Sequence, residues 1–410
     1  MEDIKIVKLE GPDRVRMRPE VMFLSKGFSG IKFLVDSLFS IFLAEAQMGY
    51  CKHLTVLQQG DMLSICGNGR GICLGQEEND EQVWKRIFEP ACDAGEPRFC
   101  DDPHGLLYGT ESTSFFQLEP VDCFALYCAM CGCKVMDVVS VRKGVKGELH
   151  FEEGHNIGGL QISETDKKDV TCFRLELDPK VFDVTRIPRK VIQESLRDFA
   201  LLTPGLTCVY ENETDFQRME FCYQNGISDL VKEKIADGTP MYRTTIQGRD
   251  KLRYSTDSYD ACVELVIAPA IHQGKELCFH NYNNLFCGGT HYRVLQRKLC
   301  EIFNRCFMSH ILGDKPMKLR KRLRLERKKS LTSWELQRHL IVALVSWSDQ
   351  KEGCWNHRSK MSISSKTIED MTSDACEELE DFVFDNKQQL LPIVDAILEA
   401  RKPFWKKWFS

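Results

Sequence analysis

Two domains of α+β fold are predicted for this chain, and three observations predict them. Leu34, Leu38, Phe42 and Ala46 recur at intervals of four and mark a long helix with a wide apolar face, running from about Gly30 to Gly49. Directly after it, HLTVLQ and MLSICG are loosely alternating apolar runs separated by a QGD turn, the pattern of a β-hairpin. Further on, KEKIADGTP gathers charge, Gly and Pro between two organised stretches, which predicts a boundary dividing the chain into 1–235 and 236–410.

The remaining elements follow in order. GNGRGICLG is turn-rich and closes the hairpin, and Gln76 to Tyr108 reads as acidic loop around one short helix. VMDVVSV and CFRLELD are strands. IPRKVIQESLRDFALL opens with a proline and spaces Val191, Leu196, Phe199 and Leu202 as a helix. Beyond the boundary, ACVELVIAPAI is a strand, HYRVLQRKLCEIFNRCFM a helix and LIVALVSWS another strand, with helices to the end. No internal repeat is visible.

Composition excludes several classes. At 410 residues, with 43% apolar and 28% charged, the chain can build two ordinary cores. No run approaches the roughly 18 apolar residues of a membrane span, and the charged start MEDIKIVKLEGPDRVRMRPE lacks the apolar core of a secretory signal. A cytoplasmic protein is expected, and its 19 cysteines are expected to be reduced thiols rather than a disulfide framework. The net charge of −5 excludes a uniformly basic nucleic-acid binder, yet KPMKLRKRLRLERKKS (315–330) carries nine Lys or Arg against one Glu.

Several segments carry a resemblance to a known family. RVRMRPEVMF is similar to the AVRKRPGMYIG signature of gyrase-type B subunits, EAQMGYC (45–51) to their EAxxGxC, and GNGRGI (67–72) to their DNGRGIP loop. LELDPKVF (175–182), LLTPGLTCV (201–209), FCYQNGISDLVKEK (221–234) and CFHNYNNLFCGGTHYRVL (278–295) resemble the F-x-PD-x-x-IF, FLNSGV, YEGGI…FV and SFTNNI…GGTHLAGF segments, in family order. One such fragment is weak; the collinear set is specific. The resemblance implies the amino-terminal half of a DNA gyrase or topoisomerase IV B subunit. The implied fold is a GHKL-type (Bergerat) α/β sandwich followed by a transducer domain of ribosomal-protein-S5-like α+β fold. No EGDSA-like signature is present, so the acidic TOPRIM domain that holds the cleavage-site metals in full-length subunits is not expected here.

The same resemblance implies an ATP and magnesium site, and residue by residue the chemistry is missing. The family's water-activating Glu and magnesium-ligating Asn stand four apart on the first long helix, hence on one side. Their positions here are Ser37 and Ile41. Serine without a partner is no general base, and isoleucine offers a metal no oxygen. Asp36 and Ser40 lie about 100° around the helix from the needed direction. The adenine-reading Asp becomes Gly67, while Asn68, Gly69, Arg70, Gly71 and Ile72 keep the loop that follows. Thr171 matches the family Thr at adenine, although Val170 replaces the Gly before it, and Arg142 matches an arginine near the pocket mouth. The glycine-rich phosphate lid falls on EPVDCFA (119–125), which has no glycine and places Glu119 and Asp122 against phosphate. Lys360 in WNHRSK, with Arg358 in place of glutamine, is either the family's γ-phosphate lysine or an exposed loop lysine. Hydrolysis and tight binding of ATP are therefore not expected.

Other constellations are weighed on the same terms. Cys128, Cys131 and Cys133, with Cys123 nearby, could ligate zinc through thiolates, but in so apolar a segment they read as small buried residues. Lys318, Arg320, Lys321, Arg322, Arg324, Arg327 and Lys328 form either a solvated face or a DNA contact driven by counterion release. The closing FWKKWFS is expected to pack Trp405 and Trp408 on the last helix. DNA, a topoisomerase or gyrase subunit and a second copy of the chain are the implied partners, with location at the nucleoid. An ATPase using Asp36 and Lys360, and an interaction module without ATP or DNA, are the alternative readings.

Overall fold

The computed structural model describes residues 11–75, 83–89, 92–93, 96–97, 123–251, 258–270, 273–285, 288–313, 316–348, 354–356 and 362–401. The chain divides into two compact units, one ending at Gly226 and one beginning at Ile227.

The first unit opens with two short helices, α1 (Pro12–Arg16) and α2 (Pro19–Phe23), each with proline in its first turn, where the missing N–H costs nothing. The long helix α3 (Phe28–Gln47) follows and ends before Gly49, whose φ of +83° is the left-handed conformation that glycine tolerates best. The predicted hairpin is β1 (His53–Gln59) and β2 (Met62–Gly67). Next come α4 (Val83–Phe88), the short pair β3 (Cys92–Asp93) and β4 (Glu96–Pro97), and α5 (Cys123–Cys131). Five strands then run in succession: β5 (Cys133–Arg142), β6 (Val145–Glu152), β7 (His155–Asn156), β8 (Gln161–Glu164) and β9 (Val170–Leu177). Helix α6 (Arg189–Leu202) leads to β10 (Thr207–Asn212) and β11 (Gln217–Phe221).

Nine of these strands form one sheet in the order β11-β10-β1-β2-β9-β5-β6-β7, with β8 paired to β6. Among the described residues of this sheet only β1 and β10 run parallel, joined through the long excursion that includes α6. Alternation along β2 and β9 turns Leu63, Ile65, Phe173 and Leu175 into the core, where Phe42 of α3 meets Phe173 edge-on at 5.9 Å. Arg16 of α1 closes one end, donating to the carbonyl of Cys131 and pairing with the buried Asp178.

The second unit begins with α7 (Ile227–Lys232), followed by β12 (Tyr242–Lys251), β13 (Ser258–Pro269), β14 (Lys275–His280) and β15 (Asn283–Asn284). Helices α8 (Thr290–Leu312), α9 (Leu319–Lys329) and α10 (Ser333–Gln337) precede β16 (Leu340–Ser348). Helices α11 (Lys366–Asp374), α12 (Leu379–Asp385) and α13 (Lys387–Ala400) complete it. The sheet order is β12-β13-β16-β14-β15. Leu295, Leu299, Phe303 and Phe307 of α8 pack in one core with Val263, Leu265, Val342 and Leu344 from its central strands.

Two sequence expectations need correction. The domain break falls at 226/227 rather than 235/236, because Ile227, Leu230 and Val231 of α7 are buried and the helix packs on β13. The cysteines are not all thiols: Cys66 and Cys172 stand directly opposite each other on β2 and β9 and are bonded, with Cα atoms 4.2 Å apart. Cys128, Cys131 and Cys133 are buried thiols, and burial pushes the Cys133 thiol up. Among the described residues, no helix is long and apolar enough to cross a membrane.

Candidate functional site

Helix α3 and the loop after β2 bring the expected nucleotide residues together. Ser37 is buried and its hydroxyl donates back to the carbonyl of Phe33 at 2.6 Å, the intrahelical bond open to serine in mid-helix. Ile41 is fully buried. One turn of helix that the resemblance assigns to a base and a metal ligand thus presents a satisfied hydroxyl and a hydrocarbon.

The neighbouring carboxylate is committed elsewhere. Asp36 accepts from Lys32 at 2.8 Å and from the hydroxyl of Ser195 on α6, while Lys32 also donates to Ser195 at 3.1 Å. Asp198, one turn along α6, belongs to the same cluster. Burial pushes its carboxyl up to about 6, Lys32 and Arg197 pull it down, and Asp36 pushes it up again. The folded value therefore lies above the ordinary 3.8, so the stability this group contributes is complete below pH 4 and is lost as the pH rises through 6. Between pH 4 and pH 7 the wild type should lose roughly 2–3 kcal/mol relative to Asp198→Asn. Urea denaturation at a series of pH values measures this, and parallel stability curves for the two proteins would contradict it.

The loop 68–72 is held from several sides. Asn68 Oδ1 accepts from the backbone N–H groups of Lys52 and His53, both at 2.8 Å. Glu45, buried at the end of α3, accepts from the Arg70 backbone N–H at 2.6 Å and from its guanidinium at 2.8 and 3.1 Å. The Arg70 guanidinium also stacks 3.9 Å above the Tyr50 ring. A Cβ on Gly69 would lie 2.6 Å from the Glu45 carboxylate, and one on Gly71, at φ +75°, 2.2 Å from the Val141 carbonyl. Arg142 donates to the Gly71 carbonyl at 3.1 Å, Ser140 to the Ile72 carbonyl at 2.6 Å, and Ile72 N–H to Thr171 Oγ1 at 3.1 Å. Asn68, Gly69, Arg70, Gly71, Ile72, Arg142 and Thr171 are therefore gathered at one place, each engaged with this chain's own atoms.

A residue that sequence reasoning passed over fills the centre of this place. The Phe42 ring lies against Gly67, so that a Cβ there would come within 2.2 Å of its Cδ1 and 2.8 Å of its Cε1. The direction in which an adenine-reading carboxylate would project is occupied by a ring only 2% exposed and backed by Phe173. In the sequence Phe42 registers only as one more apolar residue on a helix face. Its fit to a glycine 25 positions later has no signal in spacing.

The other expected residues are scattered. Residues 119–122 of the lid segment, Arg358 and Lys360, and Trp405 and Trp408 lie outside the described residues. The GGTH segment shapes the start of α8: Gly289 is its N-cap and pairs with Ile363, and a Cβ on it would meet the Ile363 carbonyl at 2.8 Å. His291 is fully buried, 3.6 Å from Cys278, and burial pulls its imidazole down to about 4. Among the described residues, no group of three or more His, Cys, Asp or Glu is placed to hold a metal ion.

Helix α9 carries the basic run. It buries none of its side chains, and Lys318, Arg320, Lys321, Arg322, Arg324, Arg327 and Lys328 are all exposed. Arg322 pairs with Glu326 at 2.9 Å. At 100° per residue, Arg320, Lys321, Arg324, Arg327 and Lys328 share one arc of about 120°, with the half-buried Glu326 opposite it and the half-buried Leu325 just beyond its edge.

A nine-stranded antiparallel-rich sheet with the long helix α3 beside the loop 67–72, followed in the chain by a second α+β unit, is the fold found in the ATPase segment of gyrase B proteins. The comparisons agree. No family model matches the chain. Its sequence is 26% identical to the DNA gyrase B protein of Chlamydia muridarum over 418 residues, 96% of this chain and 47% of that protein. Against the DNA gyrase B protein of Thermotoga maritima it is 24% identical over 313 residues, 75% of this chain and 47% of that protein. In structure it is similar to the 43K ATPase domain of Thermus thermophilus gyrase B, solved with an aminocoumarin, with a TM-score of 0.61 and 17% identity over 96% of this chain and 95% of that one. The chain is thus similar to gyrase B proteins over most of its own length and has the fold of their ATPase segment. It spans about half the length of the curated relatives it matches.

Proposed function

We propose that this chain is a gyrase-B-like protein of DNA topology that has given up nucleotide turnover and acts as a DNA-associated scaffold. The observation that carries the reading is Phe42 lodged against Gly67. Adenine needs a carboxylate there, and both the side chain and the space for it are gone. Ser37 and Ile41 add that the two helix positions assigned to water activation and magnesium ligation carry neither a base nor a metal ligand. Five exposed basic residues on one arc of α9 favour association with DNA phosphates. A gyrase or topoisomerase IV subunit, or a second copy of the chain, is the protein partner proposed by analogy with the relatives. The analogy extends to fold and not to chemistry.

Calorimetric titration with ATP and a non-hydrolysable analogue, with and without magnesium, tests the reading. No binding is expected at millimolar nucleotide. Micromolar, magnesium-dependent binding would overturn it and restore an ATPase with a rearranged site. Against that alternative stands Asp36, the carboxylate it requires, which is tied to Lys32 and Ser195.

A further inference from the structure

The bond between Cys66 and Cys172 is independent of the nucleotide reading. Both residues are partly exposed, on the face of β2 and β9 turned away from α3, since their neighbours Ile65, Gly67, Thr171 and Phe173 are the ones that point inward. The bridge joins the end of β2 to β9 at the root of the loop 67–72. Cys66 directly precedes Gly67, and Cys172 directly follows Thr171, the acceptor for Ile72 N–H. The sequence separation of 106 between the two cysteines makes it a long-range clamp.

Most of the remaining described cysteines are buried, while Cys300 and Cys306 are partly exposed. Burial pushes the thiols of Cys51 and Cys262 up to about 11 and those of Cys278 and Cys376 up to about 12. These groups stay protonated and unreactive at neutral pH. Cys222 is the exposed free thiol among the described residues.

We propose that Cys66 and Cys172 are a reversible thiol–disulfide site, open to a small thiol or dithiol from the partly exposed face of the sheet, whose oxidised form clamps β2 to β9 at the root of the loop 67–72. A thiolate from solvent attacks one Sγ, forming a mixed disulfide and expelling the other cysteine as thiolate. A second thiolate attacks the small molecule's sulfur in the mixed disulfide, breaking its bond to the cysteine, which leaves as thiolate while the two small thiols depart as a disulfide. Two electrons pass from the two small thiols to the bridge, and both cysteines take up protons from water. Oxidation is the reverse exchange with a small disulfide.

The test uses the full chain carrying Cys222→Ser, which removes the exposed competing thiol. The protein is equilibrated in glutathione buffers of graded ratio, alkylated, and read by peptide mass spectrometry and by thermal melting. Residues 66 and 172 should become alkylated together, in reducing buffers only, with the melting temperature falling by about 5–10 °C. Cys66→Ser with Cys172→Ser should melt at the reduced value and ignore the buffer. If that pair of substitutions fails to fold, the redox titration of the parent protein still decides. Free thiols at 66 and 172 in oxidising buffer would overturn the proposal, as would a bridge unreduced by millimolar dithiol in the folded protein.

Discussion

Replacing Arg320, Lys321, Arg324, Arg327 and Lys328 together by Gln is expected to weaken binding to duplex DNA by about 100-fold or more near 0.1 M salt. Each phosphate neutralised by a cation releases condensed counterions, so log K falls with log salt by about 0.9 per contact, and five lost contacts lower the slope by about 4.5. The variant should fold as stably as the parent, because α9 buries no side chain and these five positions are exposed. The helix presents Leu319 and Leu323 but no aromatic ring, so base stacking is not expected and the loss should be equal for unrelated sequences. Fluorescence anisotropy on two unrelated duplexes at several salt concentrations reads both quantities. An unchanged affinity and slope would make α9 a solvated helix and move the search for partners to protein surfaces.

Gly67→Asp should destabilise the first unit by about 2–4 kcal/mol, and Phe42→Ala should relieve most of that cost. Gly67 is not in the left-handed region, so the backbone accepts aspartate; the obstacle is the Phe42 ring, 2.2 Å from the new Cβ. Overpacking of a closed core costs about 1–3 kcal/mol, and an unpaired carboxylate there adds to it. Phe42→Ala alone leaves a cavity beside Phe173 and should cost about 3–5 kcal/mol. In the double variant aspartate occupies that cavity, so the two costs should fall short of additivity by at least about 1 kcal/mol. Urea denaturation of the four proteins measures the coupling. Strict additivity would mean that the ring does not fill the position and would remove the main support for a closed cleft.

The degree to which the fold is legible varies by element, and the variation has physical causes. Helix α3, the hairpin β1–β2, helix α6 and the strands β13 and β16 are written in local periodicity, because each must turn one apolar side to a core. The domain break is harder to place, because a short helix such as α7 carries too few residues to declare which core it serves. The Cys66–Cys172 bond is invisible from either residue alone. It depends on the register of two strands whose partners lie 106 residues apart, and a shift by one residue would turn the thiols to opposite faces.

In the proposed reading the missing chemistry is written in the chain itself: the resemblance puts Ser37 and Ile41 at the positions of a base and a metal ligand and Gly67 at that of a carboxylate, and no packing can supply an absent functional group. The dense charge of α9 is equally a matter of sequence, since nine cations in sixteen residues cannot be buried. That the Phe42 ring also lies against Gly67 comes from folding alone. Phe42 reaches Gly67 through the packing of a helix on a sheet, and the apolar ring holds that position because burial there removes it from water while the missing side chain leaves it room.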